Sequence, residues 1–175
     1  RSPDLFDLLR EAGVRGMRTR EHYGLALVLG GGEVSAEDLA RLYAMLGSDG
    51  KLRPLRFREA DERSAGTAML SADAAFMALD MLRQNPRPGG ATASDLARFP
   101  LAWKTGTSWG FRDAWTAGIV GPYAVVVWMG HFDGRSNPAL IGVEAAAPLF
   151  FSIADAMRAE GFDVAPRRTT AARIK

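Results

Sequence analysis

Three short apolar runs joined by glycine-containing turns constrain the fold of this chain more than any other feature. The runs are PLAWKTGT, DAWTAGIVG and YAVVVWMG, all within residues 100–130. Links of a few residues cannot hold the crossover that parallel strands need, so neighbouring runs are expected to pair antiparallel. The sequence therefore predicts an antiparallel meander, with Trp103, Trp115 and Trp128 as core residues.

Helical patterns precede the meander. The first helix is predicted to begin at Ser2, as its N-cap, and to end at Gly13. Residues 36–46 carry apolar side chains at i, i+3, i+4 and i+7, which predicts an amphipathic helix. Ser35 and Asp38 stand at the start of that helix and are expected to form a capping pair.

Two further helices are predicted, one on each side of the meander. Ser71 is expected to cap the first, on which Met77 and Met81 stand four residues apart and are expected to fill the core. A closing helix follows the meander, with one apolar face suited to lie on the sheet. That face consists of Phe150, Ile153, Ala154 and Met157.

The order of these elements indicates the fold class. Helices come first, and an antiparallel sheet then packs under a last helix, which predicts an α+β fold instead of α/β. A length of 175 residues with 47% apolar and 24% charged residues suits one folded domain. We expect this domain to cover residues 1–160, with a polar tail or linker over residues 161–175.

Charge and composition argue against several kinds of site. A net charge of +2, with arginines scattered along the chain, gives little support for nucleic-acid binding. The absence of cysteine excludes disulfides, thiolate zinc sites and cysteine nucleophiles. His22 and His131 stand far apart without a metal-ligand pattern, so we predict neither a metal nor a cofactor. No apolar run reaches membrane-spanning length.

The first run of the meander carries polar residues where its neighbours carry Ala and Val. Lys104, Thr105 and Thr107 supply an ammonium group and two hydroxyl groups, and Gly106 leaves the backbone open to close approach. An extended substrate could pair with such a strand, its carboxylate held by the lysine and the hydroxyl groups. The bare Lys-Thr-Gly tripeptide is more typical of an exposed polar strand edge, because three-residue matches are common.

A longer pattern around this strand resembles a known family. KTGTS at residues 104–108 is followed by RDAW at residues 112–115 and by Gly118. Earlier in the chain, the spaced residues LG, EV, LA, YA, G and P follow in that order between Leu29 and Pro54. Together these motifs resemble the C-terminal part of the transpeptidase domain of class A penicillin-binding proteins, and the resemblance covers most of residues 1–160.

This resemblance implies a serine β-lactamase-like fold and an acyltransferase that crosslinks peptidoglycan stem peptides and is acylated by penicillin. It implies catalytic roles for Lys104, in a proton relay and in attracting the substrate carboxylate, and for Thr107, whose N–H forms half of an oxyanion hole. Gly106 would keep the groove open, and Ser108 or Trp109 would line its rim. The substrate-binding residues that it implies are Thr105, Gly106, Thr107, Ser108 and Trp109.

Two further motifs of this family, a Ser-x-x-Lys that holds the nucleophile and a Ser-x-Asn, are expected upstream of this chain. The one Ser-x-x-Lys here runs from Ser48 to Lys51, but Ser48 follows a predicted helix instead of starting one, and no Ser-x-Asn occurs. We therefore expect a fragment that is inactive alone and works with an upstream half of the domain. The resemblance also implies an upstream glycosyltransferase domain and membrane anchor, and a location at the periplasmic face of the inner membrane.

Two other functions stay open at this point. The same fold serves β-lactamases and DD-carboxypeptidases, in which water replaces the acceptor amine, although the Arg-Asp-Ala-Trp continuation favours the transpeptidase. A non-catalytic peptidoglycan-binding or interaction module would keep a remnant of the site without its nucleophile. Finding both missing motifs upstream in the same gene would exclude that module.

Overall fold

The structure, a computed structural model, describes residues 4–88 and 101–164. Its helices are α1 (Leu5–Glu11), α2 (Arg20–Tyr23), a 3-10 helix (Gly24–Leu29), α3 (Ala36–Leu46), α4 (Ala72–Arg83) and α5 (Ala146–Ala159). Its strands are β1 (Lys51–Leu52), β2 (Thr67–Ala68), β3 (Ala102–Thr107), β4 (Asp113–Val120) and β5 (Tyr123–Gly130). The combination of helices with antiparallel sheets confirms the predicted α+β class.

Strands β3, β4 and β5 form the predicted meander. They lie in the order β3-β4-β5, and both pairs are antiparallel. Lys104 pairs with Ala117 across β3 and β4, and Asp113 pairs with Gly130 across β4 and β5. Within the described residues β3 is an edge strand, so no other strand there pairs with its outer side.

One face of this sheet packs against α5. Phe150 of α5 is fully buried and lies with Trp103 and Val120 in the main core. The ring of Phe150 comes so near β4 that a Cβ on Gly118 would meet Phe150 Cζ at 2.8 Å, so glycine is needed there. The predicted closing helix is therefore confirmed, including its contact with the sheet.

The opposite face of the sheet is partly covered by α3. This helix runs over residues 36–46 as predicted, and Gly47 at its end lies next to Ile119 of β4. Ser35 Oγ accepts a hydrogen bond from Asp38 N at 3.1 Å, which confirms the capping pair. Buried Asp38 also accepts hydrogen bonds from Arg15 N and Nε at 3.3 and 3.4 Å, which tie the segment after α1 to the first turn of α3.

The prediction that Met77 and Met81 fill the core is wrong. Both lie on α4, where they are 48% and 65% exposed. The buried positions of α4 are Ala75 and Leu79, which stand four residues apart on another stripe of the helix. At about 100° per residue, side chains two positions away from that stripe point to the far side of the helix. The helix therefore has two apolar stripes, and tertiary packing buries the stripe of Ala75 and Leu79 and leaves the stripe of Met77 and Met81 exposed.

The two ends of the described structure differ in detail from the sequence pattern. The N-cap of α1 is Asp4, whose carboxylate accepts a hydrogen bond from Asp7 N, and Ser2, the predicted cap, lies outside the described residues. Both residue types cap helices well, so sequence preference alone did not separate them. At the other end, Val164 is buried in the main core, while residues 165–175 lie outside the described residues.

The candidate active-site strand

The candidate site lies on the edge strand β3, at the Lys-Thr-Gly-Thr sequence. Lys104, Gly106 and Thr107 are exposed there, and Thr105 is half-buried. Lys104 lies opposite Ala117 on the face that α3 partly covers. Because side chains alternate along a strand, Thr105 and Thr107 lie on the face that packs against α5. A ligand therefore contacts the lysine and the threonines together only when it lies along the edge of β3.

The ammonium group of Lys104 is held by the backbone of its own strand. Lys104 Nζ donates a hydrogen bond to Thr105 O at 2.8 Å. Among the described residues Lys104 forms no ion pair. An exposed ammonium group beside an open strand edge is suited to attract a carboxylate that approaches along that edge.

The turn between β3 and β4 is closed by Ser108 and Asp113. Ser108 N donates to Asp113 O at 2.9 Å, and Asp113 N donates to Ser108 Oγ at 2.8 Å. The hydroxyl oxygen of Ser108 is thus used as an acceptor inside the turn, whereas the side chain of Trp109 is 93% exposed. Of the two predicted rim residues, Trp109 has the side chain that is open to a ligand.

Aromatic side chains of β4 and β5 lie on the same face of the sheet as Lys104. Trp115 and Trp128 lie opposite each other on β4 and β5, with ring centroids 6.2 Å apart, and the Phe132 ring lies 5.5 Å from that of Trp128. The prediction of core tryptophans holds for Trp103, which is buried, but Trp115 and Trp128 are only half-buried. Phe132 is fully exposed and was missed, because one aromatic residue after a strand has no periodic signal.

A loop before α5 contacts β3 from the other face. Gly142 N donates a hydrogen bond to Thr107 Oγ1 at 2.9 Å. The two residues are far apart in sequence, and a backbone N–H leaves no trace in the residue pattern. Sequence reasoning therefore found Thr107 and missed the group that holds its hydroxyl.

The Ser-x-x-Lys sequence at residues 48–51 forms a turn at the end of α3. Ser48 N donates to Met45 O at 3.1 Å, and Lys51 N donates to Ser48 O at 3.1 Å. Asp49 between them has a φ of 53°, which is a turn conformation. Ser48 thus stands beyond the C-terminal end of a helix, where no free helix N–H groups surround a nucleophile. This geometry supports the sequence argument against Ser48.

In residues 4–88 and 101–164 no group of three or more His, Asp or Glu side chains could hold a metal ion. His22 packs edge-on against Tyr23 instead, with ring centroids 5.2 Å apart. None of the helices within these ranges is long and apolar enough to span a membrane.

Comparison with known proteins agrees with this arrangement. Residues 17–150 match the family model of the penicillin binding protein transpeptidase domain. Penicillin-binding protein 1C of Escherichia coli (strain K12) is 36% identical over 126 residues, which cover 71% of this chain and 16% of that protein. Penicillin-binding protein 1B of Haemophilus influenzae is 28% identical over 156 residues, which cover 82% of this chain and 20% of that protein.

The fold is also that of a solved relative. The crystal structure of penicillin-binding protein 1A from Haemophilus influenzae matches with a TM-score of 0.62 at 17% identity, over 93% of this chain and 31% of that one. This match confirms the predicted transpeptidase fold, and the chain spans less than a third of the length of each of these three relatives. The chain belongs to the penicillin-binding protein transpeptidase family.

Proposed function

We propose that this chain supplies one wall of a peptidoglycan DD-transpeptidase site. The observation that carries the proposal is the exposed Lys-Thr-Gly-Thr edge strand inside the residues matched to the transpeptidase family. The open edge of β3 accepts an extended stem peptide as an added strand. Lys104 attracts the carboxylate of that peptide, and the N–H of Thr107 stabilises the oxyanion that develops at the reacting carbonyl.

The proposed reaction is an acyl transfer in two steps. A serine hydroxyl attacks a peptide carbonyl carbon, and its proton passes through a relay that includes Lys104 to the leaving amine as the C–N bond breaks. The amine of a second stem peptide then attacks the resulting ester, which releases the crosslinked product and returns the proton to serine. Penicillin undergoes only the first step, in which its β-lactam C–N bond opens and the acyl group stays on the serine.

We place the serine nucleophile on sequence outside this chain. Ser48 lies in the turn after α3, and the relatives extend well beyond the matched region. The isolated chain is accordingly proposed to be inactive. Its proposed partners are stem peptides, β-lactam antibiotics, the remaining half of the transpeptidase domain and a glycosyltransferase domain. Its proposed place is the periplasmic face of the inner membrane, with the anchor outside this chain.

The experiment is labelling with a fluorescent penicillin, read by gel and by intact mass. It compares the 175-residue chain alone with the same chain joined to the sequence that precedes it in its gene. Lys104→Ala is the test variant, and Lys51→Ala is the matched control, because Lys51 is also an exposed strand lysine but lies in the two-stranded sheet.

Labelling only in the joined form, lost in Lys104→Ala and kept in Lys51→Ala, is the expected result. Labelling of the isolated chain at Ser48 would overturn the placement of the nucleophile. Absence of labelling in both forms would favour a non-catalytic module. Rapid loss of the bound penicillin in the joined form would indicate hydrolysis by a β-lactamase or carboxypeptidase instead of transpeptidation.

A further inference from the structure

We propose that Gly142 is a positioning residue for the reaction and that it acts through Thr107. This inference rests on the proposed function and adds a residue that lies outside β3. Its basis is the hydrogen bond from Gly142 N to Thr107 Oγ1 at 2.9 Å. Thr107 is exposed at the edge of β3, so whatever fixes its hydroxyl group also fixes part of the substrate groove.

The hydrogen bond decides what the Thr107 hydroxyl group can do. A hydroxyl group has one donor and two acceptor positions, and Gly142 N–H occupies one acceptor position. The O–H of Thr107 stays available to donate to a carboxylate or carbonyl oxygen of a substrate that lies along the strand. A side chain whose oxygen is already held loses less rotational freedom when that substrate binds.

The position of Gly142 leaves no room for a side chain. A Cβ there would meet Gly106 O at 2.6 Å and Trp115 O at 3.0 Å, both backbone atoms that cannot rotate away. Glycine is therefore needed for space, since the backbone of Gly142 does not adopt the left-handed conformation. The loop thus lies directly against the backbone of the glycine in the Lys-Thr-Gly-Thr sequence.

Both ends of this loop are attached to the rest of the site. Asn137 N donates to Phe111 O at 2.9 Å, which ties the start of the loop to the turn between β3 and β4. Ala147 N donates to Gly142 O at 2.9 Å, which ties Gly142 to the first turn of α5. Leu140 between these points is buried in the main core. Gly142 is thereby fixed relative to the sheet before any substrate arrives.

The test is a double-mutant cycle on the joined polypeptide that contains the nucleophile. The measured quantity is the second-order rate constant for acylation by a fluorescent penicillin. We expect Gly142→Ala, which displaces the Gly142 N–H, to lower it about tenfold, the effect of one lost hydrogen bond. Thr107→Val should lower it further, because it also removes the O–H that donates to the substrate. The double variant should lose little more than Thr107→Val alone, because both changes break the same contact. Thr107→Ser keeps the hydroxyl group and should retain most of the rate.

Two control variants separate an effect on the position of the Thr107 hydroxyl group from a general loss of stability. Gly47→Ala adds a methyl group that meets Ile119 Cδ1 at an ordinary 3.4 Å, and it should leave the rate unchanged. Gly121→Ala would bring its Cβ to 2.5 Å from Val164 Cα, so it mimics a backbone clash away from β3. Gly121→Ala should lower the melting temperature and leave the acylation rate of the folded protein unchanged.

Two outcomes would overturn the inference. One is a double variant whose loss equals the product of the single losses, and the other is a Gly142→Ala rate equal to that of Gly47→Ala. If Gly142→Ala does not fold, hydrogen exchange of the Gly142 amide decides the question. Faster exchange in Thr107→Val than in Thr107→Ser supports the inference, and equal exchange rejects it. Failure of the proposed function is seen separately, as no labelling of the unmodified protein or no effect of Lys104→Ala.

Discussion

Trp128 Nε1 donates a hydrogen bond to Asp113 Oδ1 at 2.9 Å, and this contact joins β5 to the first residue of β4. Gly130 makes the contact possible, because a Cβ at that position would meet Trp128 Cζ2 at 2.6 Å. Asp113 also closes the turn with Ser108. The indole of Trp128 therefore helps to fix the turn that presents Trp109 beside the candidate site.

Replacing the Trp128 indole should show how much the hydrogen bond to Asp113 contributes to the free energy of unfolding. Trp128→Phe should lower the free energy of unfolding by about 1–2 kcal/mol more than Trp115→Phe, because of the two indoles only that of Trp128 donates to a carboxylate within residues 4–88 and 101–164. Urea unfolding of both variants in the same polypeptide measures the difference, and Trp115→Phe controls for the lost ring area. Equal losses in the two variants would mean that the hydrogen bond adds nothing to stability.

The buried carboxylate of Asp38 should make stability depend on pH. Burial by itself raises the pKa of Asp38, but hydrogen bonds from Ser35 and Arg15, together with the charge of Arg15, outweigh burial and hold that pKa below its usual range. A lowered pKa means that the ionised form stabilises the folded state, and that this contribution is lost as pH falls through the folded-state pKa. Asp38→Asn should cost about 2 kcal/mol at pH 7.

The pH series provides the decisive comparison for Asp38. The difference in unfolding free energy between the unmodified protein and Asp38→Asn should be constant from about pH 5 to 7 and shrink below about pH 4. Asp73→Asn, at an exposed position in the first turn of α4, should cost less than about 1 kcal/mol at pH 7. A difference for Asp38→Asn that stays constant down to about pH 2 would contradict the assignment.

Loss of the Thr116 hydroxyl group should stabilise the folded protein. It is fully buried, and Oγ1 has no hydrogen-bond partner among the residues that the structure describes. Thr116→Val removes a desolvated polar atom with little change of shape, so the free energy of unfolding should rise by about 1 kcal/mol. The matched control is Thr105→Val, at the paired and half-buried position on β3. Destabilisation by Thr116→Val would show that the hydroxyl group has a partner.

The two apolar stripes of α4 should respond differently to truncation. Leu79→Ala should cost about 3 kcal/mol, because Leu79 is only 2% exposed. Met81→Ala should change the free energy of unfolding by less than about 0.5 kcal/mol, because that side chain is 65% exposed. Thermal or urea unfolding measures both. A large loss of unfolding free energy in Met81→Ala would show that the Met81 side chain packs in the core.

Much of the fold was predictable because the signals are local. The range of α3 follows from four apolar positions and the Ser35 cap, and the meander follows from short glycine turns that forbid crossovers. The side of α4 that is buried did not follow, because Met77 and Met81 are as apolar as the residues that were buried instead. Choosing between such stripes requires knowledge of which element packs against the helix.

The candidate site divides in the same way. By itself the sequence determined that Lys104, Thr105, Gly106 and Thr107 share one strand, because side-chain type and spacing are properties of the chain. Only the tertiary structure decided that this strand is an edge among the described residues, and that Gly142 reaches Thr107. The physical reason is that backbone hydrogen bonds and close backbone contacts depend on segments far apart in sequence. The order of residue types shows which side chains lie near one another along the chain, but it does not show which distant backbone segments come into contact.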